Sequence, residues 1–81
     1  MKLNQNIAVS ESGFVFNPTT GDSFTTNFLG KEVIKLLQEG KDGETLYKEI
    51  EKKFDVSRNI LEKDVEDFKM MLSNYQILEN D

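Results

Sequence analysis

The sequence predicts an α+β fold, a three-stranded antiparallel sheet followed by three α-helices. Three observations lead there. Before Asn27 the apolar residues alternate and are broken by turn-forming clusters, as in short strands. After Asn27 they recur every three or four residues, as on helices. The helical part is broken at "EGKDG" (39 to 43) and at "DVS" (55 to 57), which divides it into three.

The first strand is read at Ile7 and Val9, two residues apart. After "SESG", with Gly13 suited to a hairpin turn, Phe14-Val15-Phe16 is aromatic and β-branched and reads as the second strand. Asn17-Pro18-Thr19-Thr20-Gly21 reverses the chain, because Pro18 pre-sets φ and Gly21 tolerates a turn conformation. Ser23 to Thr26 forms the third strand, with Phe24 pointing to one face and its neighbours to the other. Asn27 is placed to cap a first helix over about 28 to 39, carrying Leu29, Val33, Leu36 and Leu37, and Gly40 to end it in a left-handed conformation. A second helix starts at Asp42 or Gly43 and runs to about Phe54, with Leu46, Ile50 and Phe54 on one stripe. A third runs from Arg58 to about Asn74; Ser57 is its expected cap, and Val56 is expected to pack against Leu61. Leu61, Val65, Phe68, Leu72 and Tyr75 form its core stripe, and Ile77-Leu78 returns to cover it.

Composition narrows the function. At 81 residues, 37% hydrophobic and 31% charged, residues 1–81 read as one ordinary globular domain. No apolar run approaches the roughly 18 residues of a membrane helix, and "MKLNQNIAVS" lacks a secretion signal, so a cytoplasmic location is expected. Without Cys, thiolate chemistry is excluded; with neither His nor Cys, a zinc site is not expected, and "KDGE" at 41 to 44 is only a fragment of a calcium loop. The carboxylates are spread along helix faces beside lysines, as with Glu44 and Lys48 or Glu49 with Lys52 and Lys53, the ordinary pattern of solvated helices. Gly40 and Gly43 lack the strand-before-helix context of a phosphate loop. The expectation is a protein that is not an enzyme and carries no cofactor or metal.

Two helices joined by a three-residue turn, next to a small sheet, have the order of a winged helix-turn-helix. A nucleic-acid reader needs a basic recognition helix, however. Between Arg58 and Tyr75 the basic residues are Arg58, Lys63 and Lys69, against Glu62, Asp64, Glu66 and Asp67, and the whole chain has a net charge of -5. Phosphate neutralisation dominates such binding, so neither nucleic acid nor an anionic membrane is an expected partner. A winged-helix regulator remains an alternative, as does a homodimerising interaction module.

The hairpin "NPTTGDSF", the helix start "NFLG", its close "IKLLQEG" and the later "KDVEDFKMML", followed by Ile77-Leu78, resemble the PqqD family over roughly residues 7 to 79. Asn27, Gly30, Ile34, Leu37, Gly40, Asp64, Val65, Phe68 and Leu72 stand where that family's spaced pattern has such residues. Gln76 departs from it, since the family often has glycine there. The resemblance implies a winged helix-turn-helix of three strands and three helices with no chemistry of its own. It implies that the leader segment of a ribosomally made precursor peptide is bound as an added strand along the third β-strand, against the third helix. The peptide is then presented to a separate modifying enzyme, often of the radical S-adenosylmethionine class.

The residues make that mechanism reasonable. A strand at a sheet edge leaves N–H and C=O groups free to pair with an extended peptide. Ser23, Phe24, Thr25 and Thr26 suit the role, because hydroxyl-bearing residues keep strand propensity while the edge stays soluble; the plainer reading is a solvated face. On the third helix Ile60, Asp64, Asp67 and Met71 cluster beside the core stripe that holds Phe68. Ile60 and Met71 are candidate apolar anchors and Asp64 and Asp67 candidate partners for Lys or Arg of the leader; here the plainer readings are core filling for Met71 and a solvated face for the aspartates. The expected peptide-binding set is therefore Ser23, Phe24, Thr25, Thr26, Ile60, Asp64, Asp67, Phe68 and Met71, in a monomer or homodimer.

Overall fold

The structure is a computed structural model and describes residues 2–79. The chain runs β1 (Lys2–Leu3), β2 (Ala8–Val9), β3 (Phe14–Phe16), β4 (Ser23–Thr25), α1 (Phe28–Gln38), α2 (Gly43–Glu51), α3 (Arg58–Asn74) and β5 (Leu78–Glu79). The expected sheet is β2-β3-β4, antiparallel throughout, with β4 at one edge. It is followed by three helices, so the α+β, winged helix-turn-helix-like order holds.

Turn chemistry explains the sheet. Gly13 has φ +90°, and a Cβ there would lie 2.3 Å from the Thr26 carbonyl oxygen, so both conformation and close approach require glycine. In the second turn the Gly21 N–H donates to the Asn17 carbonyl and the Asn17 N–H to that of Asp22. The Asn17 side chain is fully buried: its Oδ1 accepts from the Thr19 N–H (3.0 Å) and its Nδ2 donates to the Tyr75 carbonyl (3.2 Å) at the end of α3. One side chain thus shapes the hairpin and ties it to the last helix.

The helix ends agree with the expected caps in part. Asn27 Oδ1 accepts from the Gly30 N–H at 2.9 Å, and Asp42 caps α2. Gly40, at φ +84°, closes α1 in a Schellman arrangement, with Lys41 N–H on the Leu36 carbonyl and Gly40 N–H on that of Leu37. Ser57 stands at the start of α3 but its hydroxyl makes no cap bond. Ser57, Asn59 and Ile60 are exposed, so water can meet the free amides instead. Helix α2 ends at Glu51 rather than near Phe54. A tighter turn, with Lys53 and Phe54 N–H both on the Ile50 carbonyl, then carries Phe54 back onto the core.

The core joins all layers: Val15 from the sheet, Val33, Ile34 and Leu37 from α1, Leu46 and Ile50 from α2, and Leu61, Val65 and Leu72 from α3. Ile77 and Leu78 are buried over it, as the pattern requires. The structure adds a second, two-stranded sheet. β5 pairs antiparallel with β1, Leu3 opposite Leu78, and the Asn4 N–H extends the ladder to the Ile77 carbonyl. Two-residue strands carry too little periodicity to be read in sequence.

Candidate peptide-binding edge and cleft

The register of β4 decides which of its backbone groups are free. Thr26 N–H donates to the Gly13 carbonyl and Asn17 N–H to that of Asp22, so the Gly13–Thr26 and Asn17–Asp22 positions are hydrogen-bonded pairs. In an antiparallel ladder such pairs alternate with non-bonded ones, which places Val15–Phe24 among the bonded and Phe14–Thr25 and Phe16–Ser23 among the non-bonded. The N–H and C=O groups of Ser23 and Thr25 therefore point away from β3, to the edge where no strand lies among the described residues. Side chains alternate with them: Phe24 turns inward and is half-buried, while Ser23 and Thr25 are exposed.

Phe24 connects this edge to α3. Its ring lies 5.1 Å from that of Tyr75, tilted by 33°. At the other end of β4 the link runs through Thr26, Gly30 and Phe68. A Cβ on Gly30 would fall 2.0 Å from Thr26 Oγ1 and 2.9 Å from the Phe68 ring, so only glycine lets the first turn of α1 sit this close to α3. Beside this contact opens a cleft of about 320 Å³. Leu29, Gly30 and Val33 of α1 supply one wall, with Asn27 at the mouth; Asp64, Val65, Asp67, Phe68 and Met71 of α3 supply the other.

Of the expected residues, Asp64, Asp67, Phe68 and Met71 come together in this cleft, and Thr26 stands at its end. Phe68 and Met71 are half-buried and pack against the core while lining the cleft. Asp67 accepts from Lys63 at 3.1 Å, whereas Asp64 has no ion pair among the described residues. Ile60 does not join them: it is 58% exposed and outside the cleft lining. The α1 wall is not legible as part of a site in the sequence, where Leu29 and Val33 read as core.

The other basic residues of α3 are held. Arg58 donates to Glu44 and Glu51, lies 3.7 Å from Glu62 and stacks over Tyr47. The hydrogen bonds it donates to Glu51 and then Glu44 keep its guanidinium charged well above the usual range, and the same bonds lower the pKa of both glutamate carboxyls. Lys69 is buried, only 10% of its side chain exposed, with Nζ 2.8 Å from Asp42 Oδ1. Lys63 is engaged by Asp67. The helix that would enter a DNA groove thus has each of its cations matched by a carboxylate, and phosphate would have to displace these partners.

No curated protein matches the sequence significantly. Among solved structures, the fold superposes with a TM-score of 0.85 on a chain described as TbiB1 in complex with the TbiA(beta) leader peptide, at 28% identity over 100% of this chain and 98% of that one. The family model for coenzyme PQQ synthesis protein D (PqqD) matches residues 13–78, the span from the hairpin turn to β5 that builds both the open edge and the cleft. The chain belongs to the PqqD family.

Proposed function

We propose that this protein captures the leader segment of a ribosomally synthesised precursor peptide as an added strand on β4 and presents it to a modifying enzyme, of the radical S-adenosylmethionine type in the first instance, without catalysing a reaction itself. The observation that carries this reading is the outward aim of the Ser23 and Thr25 backbone groups at a sheet edge beside an apolar cleft. Main-chain bonds then supply affinity, and the cleft selects alternate side chains of the peptide. A structural relative was solved with a leader peptide bound, which supports the same class of ligand here. In this reading Phe68 and Met71 meet an apolar leader side chain, and Asp64 and Asp67 meet a cationic one.

The test is a synthetic leader, taken from a short precursor encoded next to this chain, titrated into isotopically labelled protein. The backbone amides of Phe24 to Thr26 and of α3 should shift with saturation. Thr25→Pro removes an outward N–H and should lower affinity about tenfold, the loss of one main-chain bond plus the ring's bulk, with the fold intact. Shifts confined to another face, or unchanged affinity in the proline variant, would reject the strand-addition reading.

A further inference from the structure

Phe28, the first residue of α1, is 74% exposed, the most exposed of the large apolar side chains among the described residues. It borders a second hollow, of about 340 Å³, together with Gly13, Thr26, Asn27 and Lys31. The hollow has a defined shape. Lys31 lies along the Phe28 ring, Nζ 5.8 Å from its centroid, and is anchored by the Glu11 carbonyl at 2.9 Å and carboxylate at 3.3 Å. Gly13 and Thr26 close its inner side, packed so near one another that no side chain fits between Gly13 and the Thr26 carbonyl.

This hollow is continuous with the site already described. Asn27 lines both it and the α1–α3 cleft, and Thr26, at the end of β4, lines its near side. A strand paired to Ser23 and Thr25 advances about 3.3 Å per residue and, continued past Thr26, runs toward the start of α1, where Phe28 stands. We infer that the Phe28 hollow is a separate anchor subsite of the leader, taking one apolar side chain, aliphatic or aromatic, that lies a fixed short distance outside the segment paired with β4. The inference rests on the strand-addition reading and adds a sequence requirement to it: an apolar residue at one end, set apart from those that enter the α1–α3 cleft. The Lys31 bond to the Glu11 carbonyl links α1 to the turn before β3 at the hollow's rim, and the ring of Phe28 supplies contact area that no core residue uses.

The experiment needs no knowledge of the natural leader. A displayed library of random 14-residue peptides is selected on the intact protein, and binders are sorted by whether Thr25→Pro weakens them. Among the sensitive peptides, alanine replacement along the sequence should locate an apolar position beyond the paired segment. Phe28→Ala should weaken the same peptides about tenfold, Phe28→Leu much less, and loss at that position and loss of Phe28 should not add. The thermal midpoint of Phe28→Ala should match that of the parent protein, since the ring packs on little. If peptides sensitive to Thr25→Pro bind Phe28→Ala unchanged, the subsite is wrong and strand addition stands. If no selected peptide responds to Thr25→Pro, strand addition itself fails.

Discussion

Two helix ends in this molecule use the same hydrogen bonds with different residues at the critical place. Helix α1 closes on Gly40 at φ +84°; α3 closes on Gln76 at φ +60°, its N–H on the Ser73 carbonyl and that of Ile77 on Leu72. The position where the family often has glycine therefore keeps the turn and carries its steric cost in a side chain. Gln76→Gly should raise stability by about 0.5–1 kcal/mol, the left-handed penalty less glycine's extra chain entropy, seen as a thermal midpoint a few degrees higher. Gly30 is the opposite case. Its Cβ would meet Thr26 and Phe68, so Gly30→Ala should cost about 1–3 kcal/mol as an overpacked contact. Because the Phe68 ring must yield and lines the cleft, Gly30→Ala should also weaken peptide binding, which a titration at a temperature where the variant is folded will separate from stability.

At the scale of elements, α2 and α3 are joined by charge as well as by Leu46, Ile50 and Leu61. Asp42 Oδ1 accepts from both the Gly43 N–H and Lys69 Nζ, each at 2.8 Å. Burial acts to raise the Asp42 pKa, but the bonds from Lys69 and Gly43 outweigh it and hold the carboxyl below its usual value of 3.8. A carboxyl depressed by folding stabilises the native state above the unfolded-chain pKa of about 4 and loses that contribution as pH falls through the lower folded value. The thermal midpoint should therefore drop below pH 4, and Asp42→Asn should flatten part of that slope. At pH 7 the same variant should cost about 1–2 kcal/mol, less than the 3–5 of a sealed pair because the Asp42 side chain is 40% exposed and water can reach Lys69. This contact also marks how far the elements were legible. Long periodic segments such as α3, and turns with glycine or proline, state themselves in local sequence. Lys69 did not: in the pattern it is one more cation on a solvated helix, and only the crossing of α3 over the start of α2 buries it. The same holds at the site. Asp64, Asp67 and Met71 share a helical stripe that spacing reveals, whereas the opposing wall of Leu29, Gly30 and Val33 depends on how α1 meets α3. Ile60 shares the stripe as well, yet the cleft ends before its turn, and a helical wheel carries no information on where along the axis a neighbour stops.

Across the whole molecule, closure depends on the small β1–β5 pairing, which lays Leu3 and Leu78 over the core. Leu3→Ala should remove about 2–4 kcal/mol, a large share of the roughly 5–15 kcal/mol by which native folds are stable, and denaturant titration will measure it. Charge acts at the same scale. The net charge of -5 sits on a molecule whose α3 cations are already matched by carboxylates, while Asp64 stands exposed in the cleft wall with no ion pair among the described residues. The field around the proposed docking face is therefore negative, favouring a cationic peptide and opposing a phosphate backbone. Exposed charges are screened beyond about 10 Å at 0.1 M salt, so affinity for a leader with Lys or Arg opposite α3 should fall as sodium chloride rises from about 50 to 500 mM. Asp64→Asn should weaken binding at low salt and reduce the slope, while Glu or Asp in place of the leader's cation should reverse its sign. Fluorescence anisotropy at several salt concentrations, with the thermal midpoint followed in parallel, measures each of these. An affinity independent of salt for both peptide charges would mean that the carboxylates of α3 only solvate the helix, leaving main-chain pairing and apolar anchors to carry selection alone.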